Sequence, residues 1–280
     1  MSFLSVIKVE FIKLLRKRIS LLLLLFFVPA VLFGIGMLLG LSFFVSDGGG
    51  GGVDAVEKSL SGIGFAVTIM EQSKYINSLV SIILAAFTLS GELENGQIKS
   101  EIIRICSRSK IVAAKYVALF ILILGAILLS LIWSLLIYAM FVSKTEFANG
   151  LLFDRLAQAQ IGYIAFTILG IATELAVTFL FGVKLKTFPC FAISYIVWFA
   201  SLYTDFMGKI KLLIPYNMPN HYLEHTGAAE NGFAYAALYV SYCLAFLTFS
   251  AVILRGSEIK SSLGNSIMNQ SKGVGFQKWD

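Results

Sequence analysis

Charged residues are scarce in this chain. Only 14% of its 280 residues are Asp, Glu, Lys or Arg, whereas a soluble domain typically carries about a quarter. Hydrophobic residues make up 58% of the sequence, and the mean hydropathy is +0.85. This composition excludes an ordinary soluble domain.

Cysteines are few and a nucleotide-binding motif is missing. Cys106, Cys190 and Cys243 show neither a disulfide pairing pattern nor the spacing of metal ligands. The sequence contains no G-x-x-x-x-G-K-[ST] motif, so the chain cannot bind ATP through a phosphate loop of its own. Energy for an active process must therefore come from a partner or from an ion gradient.

The chain contains six long uncharged runs. A helix needs about 20 apolar residues to cross a bilayer core, with about 17 as the practical minimum. The fourth run reaches this length if it continues past Glu174 to Val183. The runs are Ile19–Ser46, Tyr75–Gly91, Tyr116–Ser143, Leu156–Thr173, Thr187–Thr204 and Asn231–Leu254. They predict an all-α membrane protein with six transmembrane helices in a domain spanning residues 19–255.

Lysine and arginine placement predicts the orientation. With a cytoplasmic N-terminus, 16 of the 22 basic residues lie in inside segments. Both termini, including the tail 256–280, are therefore predicted to be cytoplasmic, and segment 205–230 is predicted to lie outside. The net charge of +6 then reflects topology and anionic lipid headgroups, so the lipid bilayer is an expected partner and nucleic acid is not.

Residues 1–18 are predicted to form an amphipathic helix in the membrane interface. Such a helix buries its apolar face at the acyl boundary and turns its basic face toward headgroups. The alternative is a simple basic cap on the first span. The predicted apolar face contains Phe3, Leu4, Ile7, Phe11, Leu14 and Leu15, and the polar face contains Glu10, Lys13, Arg16 and Lys17.

A dense polar segment, residues 92–110, separates the second and third runs. Ile98, Ile102 and Ile105 recur at helical spacing and share one face of a short helix. A short amphipathic helix held between two spans can fit a groove on a partner protein. The alternative is a solvated inside loop that rests on headgroups. We call residues 92–110 the coupling segment.

The arrangement resembles the type-2 ABC permease family, the membrane subunits of bacterial ABC exporters. That family has an acidic residue after the second span, then a glycine, a short coupling helix, a Ser-Arg pair and a lysine at the third span. The positions similar to this pattern are Glu92 or Glu94, Gly96, Ile98–Ile105, Ser107, Arg108 and Lys115. The proline often found before Ser-Arg is absent here. The resemblance covers nearly the whole chain, but its motifs are degenerate.

The resemblance implies a transport subunit that is not itself an enzyme. It implies two cytoplasmic ABC ATPase subunits, which bind ATP and Mg, and a second permease that is either another copy or a similar chain. The cargo implied is an amphipathic peptide, an antibiotic or another hydrophobic compound, exported across the bacterial cytoplasmic membrane for immunity or resistance. The residues implied in ATPase coupling are Glu92, Glu94, Gly96, Ile98, Ile102, Ile105 and Arg108.

Glu174 is a carboxylate near the middle of the fourth predicted span, just after the uncharged run. An ionised carboxylate there is costly unless it is paired or protonated. It is a candidate for the translocation pathway or, in an ion-coupled secondary transporter, for the coupling site. The alternative is a packing residue that is protonated or hydrogen-bonded, with Thr173 and Thr178 nearby.

The only two histidines lie in His221-Tyr-Leu-Glu-His225, which matches the H-x-x-E-H pattern of inverted zinc peptidases. On a helix His221 and His225 could bind Zn²⁺ while Glu224 acts as a base. Gly227 leaves room for barely two helical turns, and no third ligand is evident. We therefore expect no metal site and an ordinary outside loop, with a membrane metallopeptidase as the remotest alternative.

Overall fold

The structure, a computed structural model, describes residues 2–40, 60–98, 101, 107–145, 147–204, 213–215, 217–220 and 229–256. This part of the chain is helical and contains no β-strand; Leu60 and Ala148 form an isolated bridge. The α-helices are α1 (Phe3–Arg16), α2 (Val28–Leu38), α3 (Gly62–Gln72), α4 (Lys74–Glu94), α5 (Arg108–Met140), α6 (Ala157–Gly182), α7 (Thr187–Leu202) and α8 (Ala229–Gly256). Shorter 3₁₀ helices cover Arg18–Phe26 and Val142–Lys144.

Within the described part of the chain, five helical stretches are long and apolar enough to cross a bilayer. They are Arg18–Leu38, Lys74–Glu94, Arg108–Lys144, Ala157–Gly182 and Gly232–Leu254. The fifth predicted span corresponds to α7, which is apolar but has only 16 residues, fewer than the roughly 20 that a perpendicular span needs. The structure confirms the prediction of a helical protein with several helices long and apolar enough to cross a membrane.

The first of these stretches is two helices in series. The 3₁₀ helix Arg18–Phe26 gives way at Phe27 to α2. Pro29 lies in the first turn of α2, where its missing N–H is not needed, but its ring would clash with a carbonyl one turn earlier in a continuous α-helix. The proline therefore explains why the stretch changes helix type at this point.

Helices α3 and α4 follow each other across a single residue, Ser73. Helix α3 is apolar and precedes the second predicted span. Phe65 on α3 is completely buried. The chain before α3 is fixed by Leu60, whose N–H donates to the carbonyl of Phe147 at 2.7 Å and whose carbonyl accepts from Tyr138 Oη at 3.0 Å.

The core lies between α4, α5, α6 and α8. Leu84, Leu119 and Leu175 are fully buried there. Tyr116 Oη on α5 donates to the carbonyl of Ala172 on α6 at 2.9 Å. These contacts hold α4, α5 and α6 together along the middle of the bundle.

Helix α1 packs against the bundle, and this corrects part of the predicted interface. Leu14, predicted to face lipid, is 1% exposed, and Ile7 and Phe11 pack against the same core. Phe3 and Arg16 remain exposed. A helical wheel shows which residues share a face, but not which face meets the protein; here the inward side runs through Val6, Glu10 and Leu14.

Candidate functional site

Lys115 is a fully buried lysine on α5. Its ammonium Nζ lies 2.8 Å from Glu10 Oε2 on α1, 2.5 Å from Glu92 Oε2 on α4 and 2.9 Å from Glu101 Oε2 in the coupling segment. The ammonium donates hydrogen bonds to Glu10 and Glu92, and Glu101 adds a third negative charge at ion-pair distance. The side chain thereby joins two helices and the coupling segment to α5.

Two further lysines from the end of α1 reach the same carboxylates. Lys13 Nζ lies 2.6 Å from Glu101 Oε1 and 2.9 Å from Glu92 Oε2. Lys17, the residue that caps the end of α1, places its Nζ 2.5 Å from Glu92 Oε1. We refer to Glu10, Lys13, Lys17, Glu92, Glu101 and Lys115 as the ion-pair cluster. It contains three positive and three negative side chains.

The local sequence of α1 explains how it contributes three of these charges. Glu10, Lys13 and Lys17 are spaced by three and four residues, which places them on one side of a helix. Leu14 lies beside them and is buried in the core, so the apolar contact of Leu14 sets the rotation that turns the charges inward. Burying charges is expensive unless each has a partner, and in the cluster each one does.

Three carboxylates this close could also act as metal ligands. Oxygen atoms of Glu10, Glu92 and Glu101 lie within 4.8 Å of one another. However, the ammonium of Lys115 already lies among them at 2.5–2.9 Å. The cluster thus supplies its own cation, and its chemistry favours a structural or mechanical role over metal binding.

Helix α4 ends in a glycine turn at the start of the coupling segment. Gly96 has φ of +72°, and its N–H donates to the carbonyl of Leu93 at 3.1 Å. A left-handed residue just after a helix is a frequent C-terminal stop, and glycine adopts it without a Cβ penalty. Gly96, which the resemblance implies in ATPase coupling, therefore ends α4 in this structure.

Neighbouring residues tie this turn to the start of α7. Glu94 is exposed, and its Oε2 accepts hydrogen bonds from Thr187 Oγ1 at 2.9 Å and from Thr187 N–H at 3.2 Å. Ser90 Oγ donates to the carbonyl of Leu185. The coupling segment and the turn between α6 and α7 thus form a continuous surface at one end of the bundle.

Arg108 connects the other end of the coupling segment to the last helix. It is the first residue of α5, and its Nη1 donates to the carbonyl of Leu254 on α8 at 2.9 Å. A cation at the carbonyl end of a helix is favourable, because the helix dipole is negative there. The Arg108 side chain therefore joins α5 to the end of α8.

Burial changes the interpretation of two predicted coupling residues. Glu92 and Ile98 are each 2% exposed, so they cannot form a contact surface for a partner; they anchor the segment to the chain itself. Ile98 belongs to the main core. Ile102 and Ile105 lie outside the described residues.

The lysines of α1 require the same correction. Lys13 and Lys17, predicted to face headgroups, bind the carboxylates of Glu92 and Glu101 instead. Glu10, assigned to the same outward polar face, is 4% exposed. Of the four predicted polar-face residues, Arg16 alone has an exposed side chain.

Sequence reasoning missed Glu10 and Glu101 as members of a common site. The resemblance pointed to Glu92 and Lys115, which lie at the end of α4 and on α5. A signal for the other two was present: both acids lie in otherwise basic stretches, where a local lysine surplus favours ion pairing. Nothing in the linear pattern placed α1 beside α5.

Glu174 is buried on α6 and contacts another helix. Its Oε2 accepts a hydrogen bond from Ser78 Oγ on α4 at 2.9 Å. Of the predicted threonine neighbours, Thr173 donates within α6 and also lies 3.6 Å from Cys243 Sγ on α8, and Thr178 donates to the backbone carbonyl of Glu174.

Glu174 also borders a cavity of about 270 Å³, bounded by α6, α7, α8 and residues 213–215. Trp198 and Tyr242 contribute to its mostly apolar wall. A cavity of this kind can hold a small apolar group beside the carboxylate. The weak metal candidates His221, Glu224 and His225 lie outside the described residues.

Comparison with known proteins gives one family match. The family described as "Protein of unknown function (DUF2705)" matches residues 53–256, which include the coupling segment and α3 to α8 but not α1. A search of curated proteins finds no match. The chain belongs to the DUF2705 family, as this match over well more than half of its length shows.

Proposed function

We propose that this chain is the membrane-spanning subunit of an ATP-driven bacterial exporter. The observation that carries the proposal is the ion-pair cluster, in which Lys115 joins the coupling segment to α1, α4 and α5. ATP and Mg would be bound by separate cytoplasmic ATPase subunits, because the sequence has no phosphate loop. The type-2 ABC permease resemblance supports the same assignment.

The coupling segment is firmly attached to the helical bundle. A segment that transmits force from a partner to the spans must be fixed to them, since a loose loop would absorb the displacement. Three residues of the coupling segment make this attachment. Ile98 packs in the core, Glu101 binds lysines of the ion-pair cluster, and Arg108 donates a hydrogen bond to α8. A solvated loop that merely rests on headgroups has no need of such anchors.

The exposed surface that a partner protein could contact differs from the predicted contact face of three isoleucines. The exposed residues beside the cluster include Asn95, Gln97 and Lys110, and the adjoining turn adds Lys186. Glu94 and Thr187 join these two parts. We propose that cytoplasmic ATPases contact this surface and that their closure on ATP shifts the helices between inward- and outward-facing arrangements.

The topology proposed is six spans with both termini in the cytoplasm. It counts α7 as the fifth span, with tilt or bilayer thinning compensating for its length. The coupling segment and the α6–α7 turn then face the cytoplasm, in agreement with the basic residues there. A second copy or a similar permease would complete the pathway for an amphipathic peptide, antibiotic or other hydrophobic cargo.

The proposal is tested by purifying the full chain from its native membrane. We expect a co-purifying ATPase, recognised by a phosphate-loop sequence in mass spectrometry and by vanadate-sensitive ATP hydrolysis. Asn95→Arg combined with Lys110→Glu should abolish its recovery. Lys8→Glu, a charge reversal at an exposed position of α1, is the matched control and should retain it. Full transport activity by the isolated chain without ATP would refute the proposal.

One observation favours a second candidate, an ion-coupled transporter. Glu174 is buried beside a cavity between helices and accepts a hydrogen bond from Ser78. In that case a proton gradient alone would drive cargo movement in membrane vesicles, and Glu174→Gln would abolish it. In the exporter, movement would require ATP and would survive collapse of the gradient.

A further inference from the structure

We infer that Glu101 is a releasable tether. It holds the coupling segment against α1 and α5, and it can leave the ion-pair cluster without breaking the contacts that join α1, α4 and α5 to one another. The inference concerns the fold of the chain itself and goes beyond the proposed function. It requires neither nucleotide nor a partner protein.

The members of the cluster differ in where they come from. Glu10 and Lys13 are on α1, Lys17 is its cap, Glu92 is on α4 and Lys115 is on α5. Glu101 is the only member supplied by the stretch between α4 and α5. Withdrawal of Glu101 therefore frees only the chain between α4 and α5, whereas withdrawal of any other member removes a contact of a packed helix.

The lysines that bind Glu101 keep other partners when it leaves. Lys115 remains 2.8 Å from Glu10 and 2.5 Å from Glu92. Lys13 remains 2.9 Å from Glu92. Every lysine of the cluster thus keeps a carboxylate. The one positive charge then in excess falls on the two lysines from the end of α1, whose side chains are 29% and 26% exposed and reach water. A buried charge without a partner, the condition that makes breaking a buried ion pair strongly unfavourable, is therefore not created.

The Glu101 side chain is also the least enclosed carboxylate of the cluster. It is 17% exposed, compared with 5% for Glu10 and 3% for Glu92. Its Oε2 lies 2.9 Å from Lys115 Nζ, but among the described residues it receives no properly directed hydrogen bond. Water can therefore compensate for its departure more readily than for that of the other acids.

Glu92, in contrast to Glu101, cannot leave the cluster without weakening contacts between helices. It contacts all three lysines, and among the described residues it provides the one ion pair of Lys17. Removing its charge would leave Lys17 without a carboxylate and would weaken the attachment of α1 to α4. Glu92 is a permanent junction, and Glu101 is the part that can open.

The test compares Glu101→Gln with Glu92→Gln in the purified full chain, reconstituted in lipid nanodiscs. Amide hydrogen exchange is followed by mass spectrometry, and thermal unfolding is recorded in parallel. For Glu101→Gln we expect peptides covering Ile98 and Glu101 to exchange about fivefold faster, the ratio expected for loss of a partly exposed ion pair. Exchange in α1 and α5 and the unfolding temperature should stay unchanged.

Glu92→Gln is expected to accelerate amide hydrogen exchange in α1 as well and to lower the unfolding temperature. If this variant fails to fold, that result also agrees with Glu92 joining α1 to α4. Four results overturn the inference. They are misfolding of Glu101→Gln, unchanged exchange around Glu101, faster exchange that spreads into α1, and a purely local effect of Glu92→Gln. If no ATPase co-purified with the native chain, the exporter would be refuted, and none of these outcomes would change.

Discussion

Replacing Lys115 with methionine removes the central cation of the ion-pair cluster while keeping most of the side-chain volume. Lys115 is completely buried and lies within 2.9 Å of three carboxylates. Without it, Glu10, Glu92 and Glu101 share only two lysines. One negative charge then stays in excess inside the fold.

The expected loss is large. Breaking a buried ion pair by removing one partner costs about 3–5 kcal/mol, because the remaining charge is left uncompensated. For a chain of this size a loss of that order lowers the unfolding temperature by roughly 10 °C. Glu10 should be affected most, since its one other contact in the cluster is Lys13 Nζ at 4.0 Å.

The assay uses the chain's own thiols. Cys190 and Cys243 are free and buried, so a thiol-reactive fluorescent dye labels them only on unfolding. Cys106→Ser serves as the common background. Lys8→Met is the matched control, because it is the same substitution at an exposed position of α1 outside the cluster, and it should leave the unfolding temperature unchanged.

A second substitution separates charge balance from loss of packing. Glu10→Gln should destabilise the native chain, where it removes a partner of Lys115. In the Lys115→Met background it should raise the unfolding temperature, because it removes the excess negative charge. If Glu10→Gln lowered stability equally in both backgrounds, the electrostatic account of the cluster would be wrong.

Three further substitutions address other contacts. Gly96→Ala should lower stability by about 1 kcal/mol, because alanine resists the left-handed backbone found there; thermal unfolding measures this, and an unchanged value would contradict the assigned turn. Tyr116→Phe removes the hydroxyl that donates to Ala172 and should cost about 1 kcal/mol in the same assay, near the upper range for polar contacts between membrane helices. Ser78→Ala removes the hydrogen bond to Glu174 and should cost about as much, whereas an increase in stability would show that this bond is not formed.

The apolar runs predict the long helices but not α3, which lies outside all six runs, and charged residues obscure the helix ends. The third run was predicted from Tyr116, whereas α5 begins at Arg108, two helical turns earlier. Lys110 and Lys115 interrupt the uncharged pattern, so sequence reasoning stopped at them. The helix includes Lys115 because three carboxylates from other elements bind it, and those partners cannot be read from the local sequence.

The sequence does not show what each helical face contacts in the folded chain. The wheel grouped Glu10, Lys13 and Lys17 correctly but placed them toward headgroups. Similarly, Ile98 was predicted on an outward contact surface, yet it lies in the core. In both cases periodicity defines a stripe, and tertiary packing decides whether that stripe meets the protein, the lipid or a partner.

The hydrogen bond from Arg108 to the carbonyl of Leu254 bears on how the chain can be shortened. A protein cut after Gly256, the last residue of α8, would carry a new terminal carboxylate two residues from that carbonyl. The carboxylate would compete for the guanidinium and could pull Arg108 away from Leu254. A truncated protein would therefore report on a new charge as well as on the missing tail, and an amidated end would be needed to separate the two effects.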